Sequence, residues 1–255
     1  MGSAEEQVVH YRLQRGVARI TLDSPANRNA LSRRLVDQLL DAIDAAEAAE
    51  ARAIVVSHTG TTFCAGADLK ERSDGPTDST PMVRVMQRLS DGPTPTIAAV
   101  EGAVRAGGVG LMASCDLVVV TTATTFAFTE VRIGVAPAII SVPILARVNA
   151  AMLAAPFLTG ETFGADEARS MGLVTHVTDD VAATVDTLID GLLMGAPRAV
   201  AETKALLRRV PTLDRPTAYR EMQALSEELF QSADAAEGMA AFRDKRRPAW
   251  QGQES

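Results

Sequence analysis

Three short, nearly continuous apolar runs constrain the fold of this chain more than any other feature. They are Ala53–Ser57, Thr96–Val100 and Leu117–Val120. Runs of this length without polar alternation are typical of strands that are buried on both faces, as in parallel sheets. The sequence therefore predicts an α/β protein with buried central strands.

The segments around the first run alternate between strand and helix. Val17–Leu22 has the β-rich, partly alternating pattern of a strand, and Ser24-Pro25 ends it. Apolar residues then recur every four positions from Leu31 to Ile43, which marks one face of a helix running to about Glu50. The order strand, helix, strand predicts a right-handed crossover unit.

The rest of the chain contains one polar loop and a long helical part. Residues 71–81 are rich in turn formers and predict a mobile loop, followed by a helix over Met82–Leu89. From about Ala146 the sequence is Ala-rich and helical, with a short strand near Leu173–Val177. The late helices expected from the apolar spacing cover Tyr219–Leu229 and Asp234–Phe242.

Composition excludes several classes of function. Hydrophobic residues make up 47% of the 255 residues and charged residues 22%, which is the balance of a folded chain. The net charge of −7 argues against nucleic-acid binding, which needs clustered Lys and Arg. Cys64 and Cys115 have neither metal-ligand spacing nor the number of a disulfide framework. Since no signal-peptide pattern and no membrane-length apolar run is found, we expect a cytoplasmic protein without membrane contact.

Several familiar catalytic motifs are missing from the sequence. Gly102 and Gly107 have the spacing of a phosphate loop, but Gly108 stands where that loop needs Lys. There is no His-Glu-x-x-His, no paired Cys-x-x-Cys and no Gly-x-Ser-x-Gly elbow. The three scattered histidines are interpreted as structural or surface residues. We expect neither a metal site nor a permanently bound cofactor.

Two segments rich in small residues each follow a predicted strand, namely Phe63–Lys70 and Gly102–Leu111. Small residues let a ligand approach the backbone closely. The second segment leads into an expected helix over Val109–Ser114, whose N-terminus would present free amides. Two amides from separate turns that converge on one oxygen would form an oxyanion hole. The alternative is that the small residues only allow tight turns and close helix packing.

Phe63–Lys70, with the sequence FCAGADLK, closely resembles the Phe-x-Ala-Gly-Ala-Asp-Leu/Ile-Lys segment of the crotonase (enoyl-CoA hydratase/isomerase) family. Ala99–Asp116 resembles the second signature of that family, including Gly107-Gly108 and Cys115-Asp116. Further similarity covers Asn27–Leu31, Phe126–Glu130, Gly134, Pro137, Leu158–Gly160 and Ala165–Val174. The motifs follow the order of the family over nearly the whole chain, so the resemblance is specific for the superfamily and less specific for the reaction.

The resemblance implies a crotonase-like (ClpP/crotonase) α/β fold, a spiral of ββα units with a C-terminal helical region. Residues 1–195 would form the core with the coenzyme A and oxyanion-hole site, and residues 196–255 a helical oligomerisation or lid region. A homotrimer or a dimer of trimers is implied. Phe242 and Lys245 match positions that border the ligand of a neighbouring subunit, although a simple helix-end charge is an equal explanation.

The resemblance also assigns ligand-binding residues, with coenzyme A entering as part of the substrate thioester. In the family, the amides at the positions of Ala67 and Gly107 hold the thioester oxygen while the reaction passes through an enolate. Preorganised donors of this kind are worth about 3–4 kcal/mol each. The residues that would border coenzyme A are Ala65, Ala67, Asp68, Leu69 and Lys70, with Lys70 or Arg28 at its phosphates. Lys70 and Arg28 are equally well explained as solvated surface charges.

Enoyl-CoA hydratases of this family usually carry two glutamates that position and activate water. Glu130 matches the second of them, and the apolar groups beside it would raise its pKa into a range useful for acid–base catalysis. An ordinary solvated glutamate is the alternative. The first glutamate would stand three residues after Gly107, where this chain has Gly110, which has no group to polarise water.

Two further positions depart from the family pattern. After Pro137 the family often has a glycine-rich run, whereas this chain has Ala138-Ile139-Ile140-Ser141. Arg105 stands beside the second turn, where an apolar residue is common. It would either contact the ligand or form a salt bridge with a neighbouring subunit.

The leading functional hypothesis is an enoyl-CoA hydratase, a lyase that adds water to a 2-enoyl-CoA through a stabilised enolate in fatty-acid or related acyl-CoA degradation. Because Gly110 replaces one glutamate, a double-bond isomerase that uses Glu130 alone is the nearest alternative. A binding protein for coenzyme A thioesters that has lost catalysis is the alternative from another class, and the retained Glu130 argues against it. RNA binding is disfavoured by the isoelectric point of about 5.1.

Overall fold

The structure, a computed structural model, describes residues 6–73 and 78–251. The chain divides into two units, residues 1–186 and 187–255. The strands of the described residues lie in the first unit, and the second unit is helical in its described part. No helix among the described residues is both long enough and apolar enough to cross a membrane.

Ten strands lie within the described residues. In chain order they are β1 Val9–Gln14, β2 Val17–Leu22, β3 Ala53–His58, β4 Thr62–Cys64, β5 Thr96–Val100, β6 Ala103–Arg105, β7 Leu117–Thr121, β8 Thr125–Ala127, β9 Thr162–Gly164 and β10 His176–Thr178. Six of them form one sheet in the order β1-β2-β3-β5-β7-β10, and four form another in the order β4-β6-β8-β9. Neighbouring strands are parallel except β1 with β2 and β8 with β9.

Eleven α-helices lie within the described residues. In chain order they are α1 Arg33–Ala48, α2 Leu69–Ser73, α3 Thr80–Asp91, α4 Gly107–Ala113, α5 Ala138–Leu145, α6 Ala150–Thr159, α7 Ala165–Ser170, α8 Val181–Met194, α9 Pro197–Arg209, α10 Arg215–Phe230 and α11 Ala233–Arg243. Short 3₁₀ turns cover Pro25–Asn27, Thr129–Ile133, Val210–Thr212 and Ala249–Gln251.

Helix α1 covers the six-stranded sheet and shows how the sequence pattern builds the core. Its N-terminus is capped by Ser32, whose hydroxyl accepts the amide hydrogen of Leu35 at 3.2 Å. Leu35, Leu39 and Ile43 are fully buried because residues four apart lie on one face of a helix. Burying each such side chain contributes about 1.5–3 kcal/mol. The apolar residues that repeat every four positions in the sequence therefore form the contact between helix and sheet.

The mixed α/β architecture and its central strands are confirmed. β2, β3, β5 and β7 include the four predicted strand segments. They lie side by side in parallel register, with Val55 opposite Ile97 and Ala98 opposite Val118. β2, α1 and β3 follow each other as predicted, and the two strands pair in parallel. The short late strand is β10, which begins at His176 and therefore overlaps only the end of the segment predicted over Leu173–Val177. The two predicted late helices are α10 and α11.

Besides the three-residue strands β4, β6, β8 and β9, which were not predicted, two segments differ from the prediction. β1 was not predicted, although Val9, Tyr11 and Leu13 alternate with polar residues as in a strand; only Val9 among its six residues is buried. The loop expected over residues 71–81 is partly wrong, since α2 extends to Ser73 and α3 begins at Thr80. A carboxylate oxygen of Asp68 accepts the amide hydrogen of Lys70 at 3.0 Å, which helps α2 to begin. Residues 74–77 lie outside the described residues.

The second unit packs its described helices around a groove of about 630 Å³. Apolar side chains line most of it, including Leu206, Met222, Leu225 and Trp250. The indole nitrogen of Trp250 donates to the carbonyl of Met194 at 3.0 Å and so ties the end of the described chain to α8. An oligomerisation or lid role for residues 196–255 stays a prediction.

Candidate active site

The first small-residue turn follows β4 and is held by the loop that follows β2. The carbonyl of Gly66 accepts the amide hydrogen of Leu31 at 2.8 Å, and the amide of Ala65 donates to the carbonyl of Arg28 at 3.0 Å. An isolated parallel bridge joins Leu31 to Ala67. Gly66 has φ +89°, which side chains of L-residues rarely allow. The turn therefore needs glycine at this position and has a fixed place beside the preceding loop.

A buried amide side chain organises that preceding loop. Asn29 is fully buried and has φ +52°. Its side-chain nitrogen donates to the carbonyls of Thr59 and Thr62 at 3.0 and 2.8 Å, and its oxygen accepts the amide hydrogen of Ser24 at 2.7 Å. Asparagine tolerates the left-handed region better than most residues. Asn29 thus joins the loop to both ends of the segment between β3 and β4.

The second turn carries backbone strain directly before α4. Ala106 has φ +48° and ψ −122°, a conformation that costs a residue with a side chain about 1–3 kcal/mol. Its amide donates to the carbonyl of Ala127 at 2.9 Å, which extends the pairing between β6 and β8. Gly107 follows as the first residue of α4. The conformation of Ala106 therefore sets the direction of the Gly107 amide.

The two turns contact each other. A β-carbon placed on Gly66 would lie 3.1 Å from the amide nitrogen of Gly107, and one placed on Gly107 would lie 3.6 Å from the amide nitrogen of Ala67. Within residues 6–73 and 78–251, neither the Ala67 amide nor the Gly107 amide donates to a protein acceptor. Neighbouring preorganised donors are the requirement of an oxyanion hole. The structure brings the two proposed donors together, and their role stays a prediction.

Gly108 is required by the close packing between α4 and β4. A β-carbon on Gly108 would lie 2.6 Å from the carbonyl oxygen and 2.7 Å from the β-carbon of Cys64. Cys64 is fully buried, and burial raises the pKa of its thiol to about 12. A thiol of this kind is protonated and inert at neutral pH. Gly108 therefore serves the packing of α4 on β4, as the structural interpretation of the small residues expected.

Glu130 lies in the 3₁₀ turn Thr129–Ile133, just after the buried Phe128. Phe128 packs against Phe157 and Phe163, at ring-centroid distances of 4.4 and 5.7 Å. Burial raises the pKa of the Glu130 carboxyl above its ordinary value. Its Oε2 atom is buried and has no hydrogen-bond partner among the described residues. A half-buried carboxyl with an unpaired oxygen is a candidate acid–base group.

The position of the missing glutamate is filled by another side chain. A β-carbon on Gly110 would lie 2.4 Å from Cγ2 and 2.6 Å from Cβ of Ile140, and 2.8 Å from Cε of Met86. Ile140 comes from α5 and is 5% exposed. The chain departs from the family pattern at Gly110 and in the run that contains Ile140. These two departures therefore occur at residues that pack against each other.

Arg105 makes hydrogen bonds within the four-stranded sheet. Its guanidinium donates to the carbonyl of Val104 at 2.9 Å and to the carbonyl and hydroxyl of Thr125 at 2.6 and 2.9 Å. Burial lowers the pKa of this guanidinium. These bonds connect β6 with β8, and a ligand or subunit contact of Arg105 stays a prediction.

The other residues assigned to coenzyme A surround the first turn. Arg28, Leu69 and Lys70 are exposed, and Ala65 and Asp68 are half-buried. The carbonyl of Arg28 accepts the amide hydrogen of Ala65 in the turn, and Arg28 itself has φ +60°. Phe242, which is 89% exposed, and Lys245, which has φ +54°, lie in the second unit. Their contact with a neighbouring subunit stays a prediction.

Sequence reasoning did not give Asn29, Ala106 or Ile140 a role in the site. Asn29 lies within a segment that resembles the family, and this resemblance was a sequence signal for its buried, left-handed backbone conformation. Alanine is not a residue type that indicates a positive φ, so the sequence contained no signal for the conformation of Ala106. Ile140 had an indirect signal, because two departures from one pattern occur together in this chain. Among the described residues, no group of three or more His, Cys, Asp or Glu side chains is placed to hold a metal ion.

The chain is similar in sequence to proteins of one family. The sequence profile of the enoyl-CoA hydratase/isomerase family matches residues 12–253. A relative from Thermus thermophilus, described as a putative enoyl-CoA hydratase, is 34% identical over 243 residues, which cover 91% of this chain and 96% of the relative.

Solved structures agree as well. An enoyl-CoA hydratase from Mycobacterium smegmatis superposes with a TM-score of 0.90 at 30% identity, over 96% of this chain and 99% of that one. A second, described as a putative enoyl-CoA hydratase from Mycobacterium avium paratuberculosis, has a TM-score of 0.74 at 41% identity over the same shares. The crotonase-like fold expected from the motifs is therefore confirmed.

Proposed function

The chain belongs to the enoyl-CoA hydratase/isomerase family, and we propose that it moves a carbon–carbon double bond in an enoyl-CoA with Glu130 as its single acid–base group. The observation that carries the proposal is the contact between Gly110 and Ile140, which fills the position where the family has its first glutamate. Glu130 is the family glutamate that this sequence retains. The unpaired, half-buried carboxyl of Glu130 supports its role in proton transfer.

The proposed reaction begins with the thioester oxygen at the amides of Ala67 and Gly107. The carboxylate of Glu130 takes a proton from C2 of a 3-enoyl-CoA, and the electron pair of that C–H bond delocalises into the thioester carbonyl. The resulting dienolate places negative charge on the oxygen that the two amides hold. Protonated Glu130 then returns the proton to C4, and the double bond lies between C2 and C3. No other reactant is consumed.

Hydration of a 2-enoyl-CoA is the second candidate function. The names of the relatives favour it, since the similar proteins from Thermus thermophilus and Mycobacterium smegmatis are described as hydratases. In this reaction Glu130 would have to take a proton from water as its oxygen bonds to C3, and then deliver a proton to C2. One carboxyl would have to orient the water as well as transfer the proton.

The two reactions are separated by incubating the protein with a 3-enoyl-CoA and, separately, with a 2-enoyl-CoA, followed by chromatography and mass spectrometry. Isomerisation yields a conjugated product of unchanged mass and, in D₂O, exchanges hydrogen at C2 or C4. Hydration adds the mass of one water. Conversion of the 3-enoyl-CoA without water addition supports the proposal. Hydration without isomerisation supports the second candidate.

A third outcome concerns a protein without activity. If neither thioester reacts while titration calorimetry detects acyl-CoA binding, the chain is a thioester-binding protein. No heat with acyl chains of any length would contradict the coenzyme A site itself.

We include in the proposal that the protein is a cytoplasmic homotrimer or dimer of trimers and that it acts in acyl-CoA degradation. Light scattering of the purified protein tests the assembly.

A further inference from the structure

Ile140 occupies the space that any side chain at position 110 would need. A β-carbon at that position would approach Cγ2 and Cβ of Ile140 to 2.4 and 2.6 Å, closer than real β-carbons come to another atom. The atoms involved are the branch point and a methyl of a residue that is 5% exposed, so they have little room to move. Gly110 and Ile140 thus form a fitted pair between α4 and α5.

This pair lies next to the proposed oxyanion hole. Gly107 and Gly110 are three residues apart in α4, so they point to the same side of the helix. The Gly107 end of that side faces Ala67 of the first turn, and the Gly110 end faces Ile140. Met86 of α3 closes the same space from another direction. Hydrocarbon therefore fills the position one helical turn beyond the oxyanion turn.

We infer that Ile140 is a specificity-determining residue, which prevents water addition by keeping a second polar group and an ordered water out of this part of the site. The inference rests on the proposed function. A bound water needs two to four polar partners to stay in one place, and the atoms nearest to position 110, namely Cβ and Cγ2 of Ile140 and Cε of Met86, are all carbon. The dienolate would then return its proton to carbon without formation of a bond between oxygen and C3.

Three variants test the inference, namely Gly110→Glu, Ile140→Ala and the double variant. Gly110→Glu alone places its side chain against Ile140 and should lower the Tm or prevent folding. Ile140→Ala should give a folded protein with a cavity. In the double variant the glutamate can enter the space that Ile140 has left, so its Tm should exceed the value expected if the two single effects were additive.

The activity ratio gives the decisive measurement. The ratio of hydration to isomerisation should rise at least about tenfold in the double variant, because a second carboxyl then positions water. Ile144→Ala is the matched control, since it removes the same atoms from a fully buried residue of the same helix. It should lower the Tm without changing the ratio. The inference is contradicted if the folded double variant keeps the wild-type ratio, or if Gly110→Glu alone is as stable as wild type.

Failure of the inference and failure of the proposed function have different signatures. A wild-type protein that converts neither thioester contradicts the proposed function. If the double variant of such an inactive protein gains hydration, the role of Ile140 is supported on its own, and no gain contradicts it. An active wild type whose ratio does not change in the double variant contradicts only the role of Ile140.

Discussion

Gly66 lies so close to Gly107 that a β-carbon on Gly66 would be 3.1 Å from the Gly107 amide nitrogen and 2.8 Å from the β-carbon of Ala106. The two glycines belong to turns that are about forty residues apart in the chain, and each turn follows a strand of the same parallel pair, β4 and β6. Parallel pairing places the carboxyl ends of both strands at one edge of the sheet. The proximity of the two proposed donors is therefore a consequence of the strand pairing.

Gly66→Ala should reduce kcat/KM by about a hundredfold or more, because the methyl group pushes the second turn away and moves the Gly107 amide. Gly172→Ala is the matched control. Gly172 has nearly the same φ, +88°, but its β-carbon would make an ordinary 3.5 Å contact. Both variants share the backbone strain, so equal activity losses in the two would show that strain, and not the contact, is responsible.

Gly107→Pro removes the proposed donor and should lower kcat by about 10²–10³-fold. Gly107→Ala is the control, because it adds a β-carbon and keeps the N–H group. That β-carbon would lie 2.9 Å from Cδ1 of Leu31, the end of a flexible side chain, so a modest loss is expected. Equal rates for the two folded variants, measured in steady state, would mean that the Gly107 amide does not stabilise the transition state.

Glu130→Gln should leave acyl-CoA binding intact and lower kcat by at least about a hundredfold, because the amide keeps the shape and loses the basicity. In the wild-type protein kcat/KM should rise with pH as Glu130 loses its proton. The midpoint should lie above 4.5, since burial raises the pKa of this carboxyl. A pH profile and calorimetry check both points. Full activity of Glu130→Gln would leave the base unidentified.

The same substitution should stabilise the fold at neutral pH. The pKa of Glu130 is raised in the folded state, so the folded protein holds its proton more strongly than the unfolded chain. Its stability therefore falls as pH rises from the unfolded pKa through the folded one, and this loss remains at pH 7. The substituted amide carries no charge at any of these pH values, so Glu130→Gln should raise Tm by a few degrees at pH 7. The gain should shrink towards pH 4, which calorimetric scans can follow.

Asn29→Ala should destabilise the protein by about 3 kcal/mol, because the carbonyls of Thr59 and Thr62 and the amide of Ser24 each lose a hydrogen bond to a fully buried side chain. Asn149→Ala offers a comparison. Asn149 is exposed and only caps α6 by accepting the amide hydrogen of Ala151 at 2.9 Å, so its loss should cost about 1 kcal/mol. Urea unfolding measures both. A cost for Asn29→Ala no greater than that for Asn149→Ala would contradict its structural role.

The sequence by itself determined the central strands and several of the helices. β3, β5 and β7 were predicted because strands buried on both faces consist of continuous apolar residues, which are visible without any partner. The helix α1 was predicted because its buried face repeats every four residues. The motifs around Gly66 and Gly107 also identified the family, since the residues that form each turn are consecutive in the sequence.

Only the tertiary structure decided how those elements meet. The strands β4, β6, β8 and β9 have three residues each, too few to show a period of two, and their pairing joins segments far apart in the chain. The strain at Ala106 is carried by a residue that gives no local signal of it. The space at Gly110 is filled by Ile140, thirty residues away. Packing between distant residues depends on the distances between their atoms, and a sequence pattern contains only the distances along the chain.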